Sequence, residues 1–136
     1  MIKTKTDINV DALTRAVARL EEGWSTYHAD PDFELIRDGL IQRFEFTYEI
    51  SHKLLKRYLQ EIVPDPDALR EMNFPDLIRT ANEYNLLKGD WSNWKVYRDM
   101  RSKTSHTYDK EIALEVVAGI PEFLQEAKFL LEKMSK

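Results

Sequence analysis

Apolar residues recur at three- and four-residue intervals along nearly the whole chain, the period of helices that bury one face. From Val10, the positions Leu13, Val17, Leu20, Trp24 and Tyr27 make one stripe. The segment "HADPDF" ends it, because Asp30 precedes Pro31 and a residue before proline avoids helical backbone angles. A longer helix is predicted from about Asp32 to Val63, carrying Phe33, Ile36, Leu40, Phe44, Tyr48, Leu55, Tyr58, Leu59 and Ile62. Ile41, Ile50 and Leu54 fall outside that stripe. An apolar surface this wide fits either a central bundle helix or a helix buried a second time in an oligomer. The prolines of "VPDPDALREMNFPD" interrupt the pattern. A shorter helix follows from about Asp76 to Leu87, a fourth starts near Trp91, and a last one runs from about Asp109 to Met134. Gly119 and Pro121 are expected to bend the last helix, since proline has no N–H to donate within it. No segment alternates with period two, so the fold class is all-α, a bundle of about five helices.

Composition narrows this further. A length of 136 residues suits one domain, 1–136, with a single core. With 43% hydrophobic and 32% charged residues the chain is of ordinary globular type. Cysteine is absent, which removes disulfides and thiolate metal sites. Three scattered histidines without a carboxylate cluster make a poor metal site, so no metal and no cofactor are expected. No apolar run reaches the ~20 residues of a membrane span, and "MIKTKTDINV" lacks the apolar core of a signal peptide. A cytoplasmic location is the expectation. The formal net charge of −4 argues against a dedicated nucleic-acid coat, so any RNA contact is expected to be local and weak.

The candidate chemistry lies in "YRDMRSKTSHTYD", Tyr97 to Asp109. Arg101 and His106 are five residues apart, roughly 500° of turn on an ideal helix, which leaves them about 140° apart. They converge only if the helix ends or bends between them. "SKTSHT" has the composition of such an end, because serine and threonine favour caps and turns over helix interiors. Asp109 then suits the N-cap of the last helix, with Glu111 in its first turn. An arginine at this point can grip a phosphate with paired hydrogen bonds, and a histidine can exchange a proton at neutral pH. RNA cleavage without a metal needs both a base and an acid, and a symmetric dimer would supply a histidine for each. A solvated helix end fits the same spacing. His28 and His52 are read as surface side chains, the tryptophans as core, and Glu49 as an i,i+4 partner of Lys53.

Two stretches carry a resemblance. "LIQRFEFTYEISHKLLKRYL", Leu40 to Leu59, and the Arg-x4-His-x-Tyr element in "RDMRSKTSHTYD" resemble the two signatures of the nucleotidyltransferase substrate-binding protein family, a branch of the HEPN superfamily. The likeness spans nearly the whole chain. It implies a four- to five-helix up-and-down bundle that dimerises through bundle helices, and a partner nucleotidyltransferase of the MNT type. Related HEPN proteins are metal-independent ribonucleases, toxins of toxin–antitoxin pairs. The resemblance makes Arg101 and His106 the ribonuclease residues and Tyr108 the acceptor of AMP from the partner, a modification that silences the toxin. Ser102 stands where many such ribonucleases carry asparagine or aspartate, and is given a supporting role. His52 stands where relatives often have tryptophan. The alternative is a non-catalytic substrate-binding or regulatory subunit of the nucleotidyltransferase.

Overall fold

In the computed structural model, residues 8–135 are described, and among them every regular element is helical. The order is α1 (Asp11–Ala29), α2 (Glu34–Ile62), α3 (Pro66–Arg70), α4 (Phe74–Glu83), α5 (Trp91–Lys103), a 3₁₀ turn (Thr104–His106) and α6 (Lys110–Met134). Local chemistry sets the boundaries. Val63, before Pro64, adopts extended angles (φ −80°, ψ 152°) and ends α2. Asp65 and Asn73 cap α3 and α4 by accepting from the N–H groups of Ala68 and Asp76, each helix having a proline in its first turn. Asp90 opens α5 with a reciprocal capping box to Asn93. Asn85 takes a left-handed angle (φ 58°) after α4, while the Leu86 N–H reaches back to the Ala81 carbonyl (3.0 Å).

The segment between α2 and α5 differs from the pattern-based expectation. The helix foreseen over 76–87 occupies Phe74–Glu83, and Leu86 and Leu87 are buried from the following turn instead. The short α3 lies inside the proline-rich break, where Asp65 and Pro66 give it a start that no periodicity could reveal in five residues.

Helix α2 is the centre of the bundle, packed against α1 and α6 and touching α3, α4, α5 and the 3₁₀ turn. Ile41 and Leu54, outside its main stripe, are buried within this one chain. The wide apolar surface is therefore largely that of a central helix, and on its outer side α2 leaves Leu35 and Phe46 exposed. The core runs through Leu13, Leu20, Leu40, Phe44, Leu55, Trp94, Ile120 and Phe123, and Phe44 meets the edge of Phe123 at 5.0 Å.

Helix α6 continues without interruption through Pro121. The role of Gly119 is close approach: a Cβ there would lie 2.5 Å from Met100 Sδ on α5. Gly119→Ala is expected to lower the unfolding free energy by about 1 kcal/mol, since an overpacking cost of ~1–3 kcal/mol outweighs a helix-propensity gain of ~1. Urea unfolding checks this; a stabilised variant would mean that Met100 swings clear.

Candidate functional site

The helix carrying Arg101 ends before His106, the interruption expected of "SKTSHT". Helix α5 stops at Lys103, the chain tightens into the 3₁₀ turn, and Asp109 restarts the helix by accepting from the Glu111 and Ile112 N–H groups. The hydroxyls of this stretch fold back on it: Thr104 Oγ1 lies 2.8 Å from the Arg101 carbonyl and Thr107 Oγ1 donates to the Thr104 carbonyl (3.3 Å).

Arg101 is held from three sides. Its Nε donates to Glu49 Oε1 (2.6 Å), and its Nη1 donates to Thr104 Oγ1 (3.2 Å) and pairs with Glu45 Oε2 (3.2 Å). Thr104 Oγ1 also lies 3.2 Å from Glu45 Oε2, which closes the ring of contacts. The guanidinium is thus oriented by two carboxylates one turn apart on α2, and about one third of the side chain remains exposed. Two carboxylates against one guanidinium leave this cluster with a formal charge of about −1, so an incoming phosphate has to compete with Glu45 and Glu49.

His106 and Tyr108 stand outside this ring. Both are exposed, Tyr108 at 87%, with their rings 6.3 Å apart and nearly edge to face. Ser102 is exposed on another face of α5 and donates to the Asp99 carbonyl (2.7 Å). The structure therefore gathers Arg101, Thr104, Glu45 and Glu49 into one cluster, with His106 and Tyr108 beside it in sequence and open to solvent.

Glu45 and Glu49 were not legible as site residues. Glu49 pairs with Arg101 rather than with Lys53, because α5 crosses α2 at that level. A faint signal existed: like charges four apart on a helix repel, so an i,i+4 pair of glutamates asks for a cation from elsewhere.

The neighbouring aromatic cluster corrects the reading of His52. It is half-buried rather than a surface residue, 4.6 Å from the Phe74 ring and 6.3 Å from that of Tyr48. Burial, with help from Lys56, holds its pKa below the ordinary 6.5. Tyr48, pushed up to about 12 by burial, stays neutral at physiological pH. Because the unfolded chain takes up the His52 proton first, stability is lost as pH falls below 6.5 toward the lowered value. Urea midpoints are expected to fall over that range, and less so in His52→Gln; an identical pH dependence in both proteins would remove His52 from the account. Among the other residues read from sequence, Trp94 is core, Trp24 and Trp91 are half-buried, and His28 is an exposed residue in the last turn of α1 that stacks on Trp24.

Comparison with known proteins places this arrangement. Residues 8–136 match the family model described as nucleotidyltransferase substrate binding protein like. The chain belongs to that family. It is 49% identical over 96 residues to a Haemophilus influenzae protein named "Probable ribonuclease HepT", a match that covers 71% of this chain and 65% of that relative. A Haemophilus influenzae structure described as the fold of a substrate binding domain of a nucleotidyltransferase superposes with a TM-score of 0.87 at 39% identity, covering 94% of this chain and all of that one. A Thermus thermophilus crystal structure superposes with a TM-score of 0.72 at 29% identity, over 91% of this chain and 99% of that one. The all-helical bundle is thus the fold of this substrate-binding family. Among the described residues, no helix is long and apolar enough to cross a membrane, and no group of three or more histidines and carboxylates is placed to hold a metal ion.

Proposed function

We propose that this chain is the HEPN subunit of a toxin–antitoxin pair with an MNT-type nucleotidyltransferase, a metal-independent endoribonuclease silenced by AMP transfer to Tyr108. The observation that carries the reading is the fixed Arg101 guanidinium at a helix junction where His106 and Tyr108 are both open to solvent. In a homodimer, one His106 takes the proton of an RNA 2′-hydroxyl, whose oxygen attacks the adjacent phosphorus. The 5′-oxygen leaves with a proton from His106 of the second copy, giving a 2′,3′-cyclic phosphate and a 5′-hydroxyl. Arg101 bears on the phosphate oxygens as negative charge grows there.

Silencing follows from the exposure of Tyr108. Its hydroxyl oxygen attacks the α-phosphorus of ATP in the partner, pyrophosphate leaves and the hydroxyl proton is lost to solvent. The resulting AMP phosphate sits two residues from His106 and competes with RNA phosphate for Arg101.

One observation favours a second reading, a non-catalytic substrate-binding or regulatory subunit. Glu45 and Glu49 already neutralise Arg101, so it is not a free phosphate clamp. The deciding assay is cleavage of a mixed tRNA and mRNA pool in EDTA, before and after incubation with the nucleotidyltransferase and ATP. Cleavage that stops once Tyr108 carries AMP supports the ribonuclease. No cleavage by protein shown by intact mass to be unmodified, together with a stable complex with the transferase, would replace it with the binding subunit.

A further inference from the structure

A groove on the outer face of α5 runs as far as Ser102, the residue after Arg101, and the chemistry above makes no use of it. It encloses about 610 Å³ and is lined by Trp91, Lys95, Val96, Arg98, Asp99 and Ser102. These positions follow helical spacing, so they form one face of α5 from its first residue to the one after Arg101. At ~1.5 Å per residue the face is about 16 Å long, room for a few nucleotides.

Its charges are arranged to receive an anion. Lys95 and Arg98 are exposed, and neither has a carboxylate partner among the described residues. The Arg98 guanidinium lies over the Phe74 ring, 5.5 Å from its centre, which holds it in place without cancelling its charge. The one acidic residue of the groove, Asp99, is paired with Lys103 at 3.0 Å, and Lys103 also holds Glu115. In a chain of net charge −4, an unneutralised cationic groove is a local feature rather than a general property of the surface.

Its apolar parts suit bases. Trp91 is half-buried, fixed edge-on against Phe74 at 5.7 Å, and Val96 is 53% exposed. Aromatic surface interleaved with unpaired cations is the composition of single-strand binding grooves, where bases stack and phosphates meet Lys and Arg.

We propose that this face of α5 is a single-stranded RNA track that delivers the scissile phosphate to Arg101, with Lys95 and Arg98 on phosphates and Trp91 against a base. The inference rests on the ribonuclease reading and names the subsite through which that activity takes its substrate. The net negative charge of the Arg101 cluster makes the track necessary: attraction along α5 compensates for a catalytic arginine that is already paired.

The test uses a fluorescein-labelled 2′-O-methyl oligoribonucleotide twelve nucleotides long, which lacks the attacking hydroxyl and stays intact. Lys95→Ala/Arg98→Ala is expected to weaken its binding at least tenfold and to reduce the salt slope by about 1.4, two contacts at ~0.7 each. Arg15→Ala/Arg19→Ala makes the same charge change on α1 and is expected to leave both values unchanged. RNA binding is expected to quench tryptophan fluorescence, and Trp91→Phe to remove most of that quenching while Trp24 and Trp94 remain. In the cleavage assay KM is expected to rise in the α5 double variant with kcat preserved. Lys95→Glu, at an exposed position, gives the same readout should the Arg98 change disturb Phe74. Equal loss in the α1 and α5 variants would show a diffuse field and overturn the track. So would unchanged RNA binding accompanied by lost binding of the nucleotidyltransferase, which would assign the groove to the protein partner. Cleavage with an unchanged KM would sink the track and leave the ribonuclease standing; absence of both cleavage and binding would sink the two together.

Discussion

His106→Ala is expected to lower RNA cleavage by about 10²–10⁴-fold, the usual contribution of a positioned acid or base. In a composite dimer site the loss lies at the upper end, because one substitution removes both the base and the acid. Stability should hardly change. His106 is exposed in the 3₁₀ turn, its ring meets only Tyr108 among the described residues, and the backbone bond from the Asp109 N–H to its carbonyl survives truncation. A large kinetic effect on an unaltered fold is what separates a catalytic histidine from a solvated helix end. Cleavage at the wild-type rate by the purified variant would identify a contaminant and end the ribonuclease reading. Arg101→Ala is a less clean test, because it also leaves Glu45 and Glu49 one turn apart without the cation that holds them together.

The second large effect concerns folding. Glu126 of α6 is 1% exposed and accepts three hydrogen bonds: from the N–H groups of Lys88 and Gly89 (both 2.7 Å) and from Trp94 Nε1 (3.0 Å). It thereby fastens the turn between α4 and α5 to α6 and fixes the start of α5, the helix that carries Arg101. Glu126→Ala strands three donors, at ~1–3 kcal/mol each, against a total stability of roughly 5–15 kcal/mol for a domain. The expected loss is about 4 kcal/mol, read as a large fall in the urea midpoint, with Glu126→Gln intermediate because its amide oxygen still accepts. Burial raises the Glu126 pKa above the ordinary 4.5 in spite of these donors. The folded protein therefore keeps this proton longer than the unfolded chain, and the stability linked to Glu126 declines as pH rises from 4.5 through the raised value. A Glu126→Ala variant with a wild-type midpoint would show that the α4–α5 turn is held by other contacts.

Much of this protein is readable from the order of its residues. Helical periodicity is a local property, and the caps at Asp90 and Asp109 and the stops before Pro31 and Pro64 act within four residues, so the all-α class and the order of the five longer helices follow from sequence alone. The Arg-x4-His-x-Tyr spacing and the interruption of the helix between Arg101 and His106 follow for the same reason, since "SKTSHT" carries its own preference for turns. Contacts between distant helices decided the rest. Whether the wide surface of α2 meant an oligomer or a central position depended on the elements packed around it, and packing buried Ile41 and Leu54 within the chain. Gly119 faces Met100 only because α5 and α6 run close together there. Glu45 and Glu49 became partners of Arg101 through a crossing more than fifty residues away in sequence, and Glu126 reached its three donors across 32 to 38 residues. A carboxylate's partner depends on which helix lies opposite it, and that is settled by the packing of the core, a property of the whole chain.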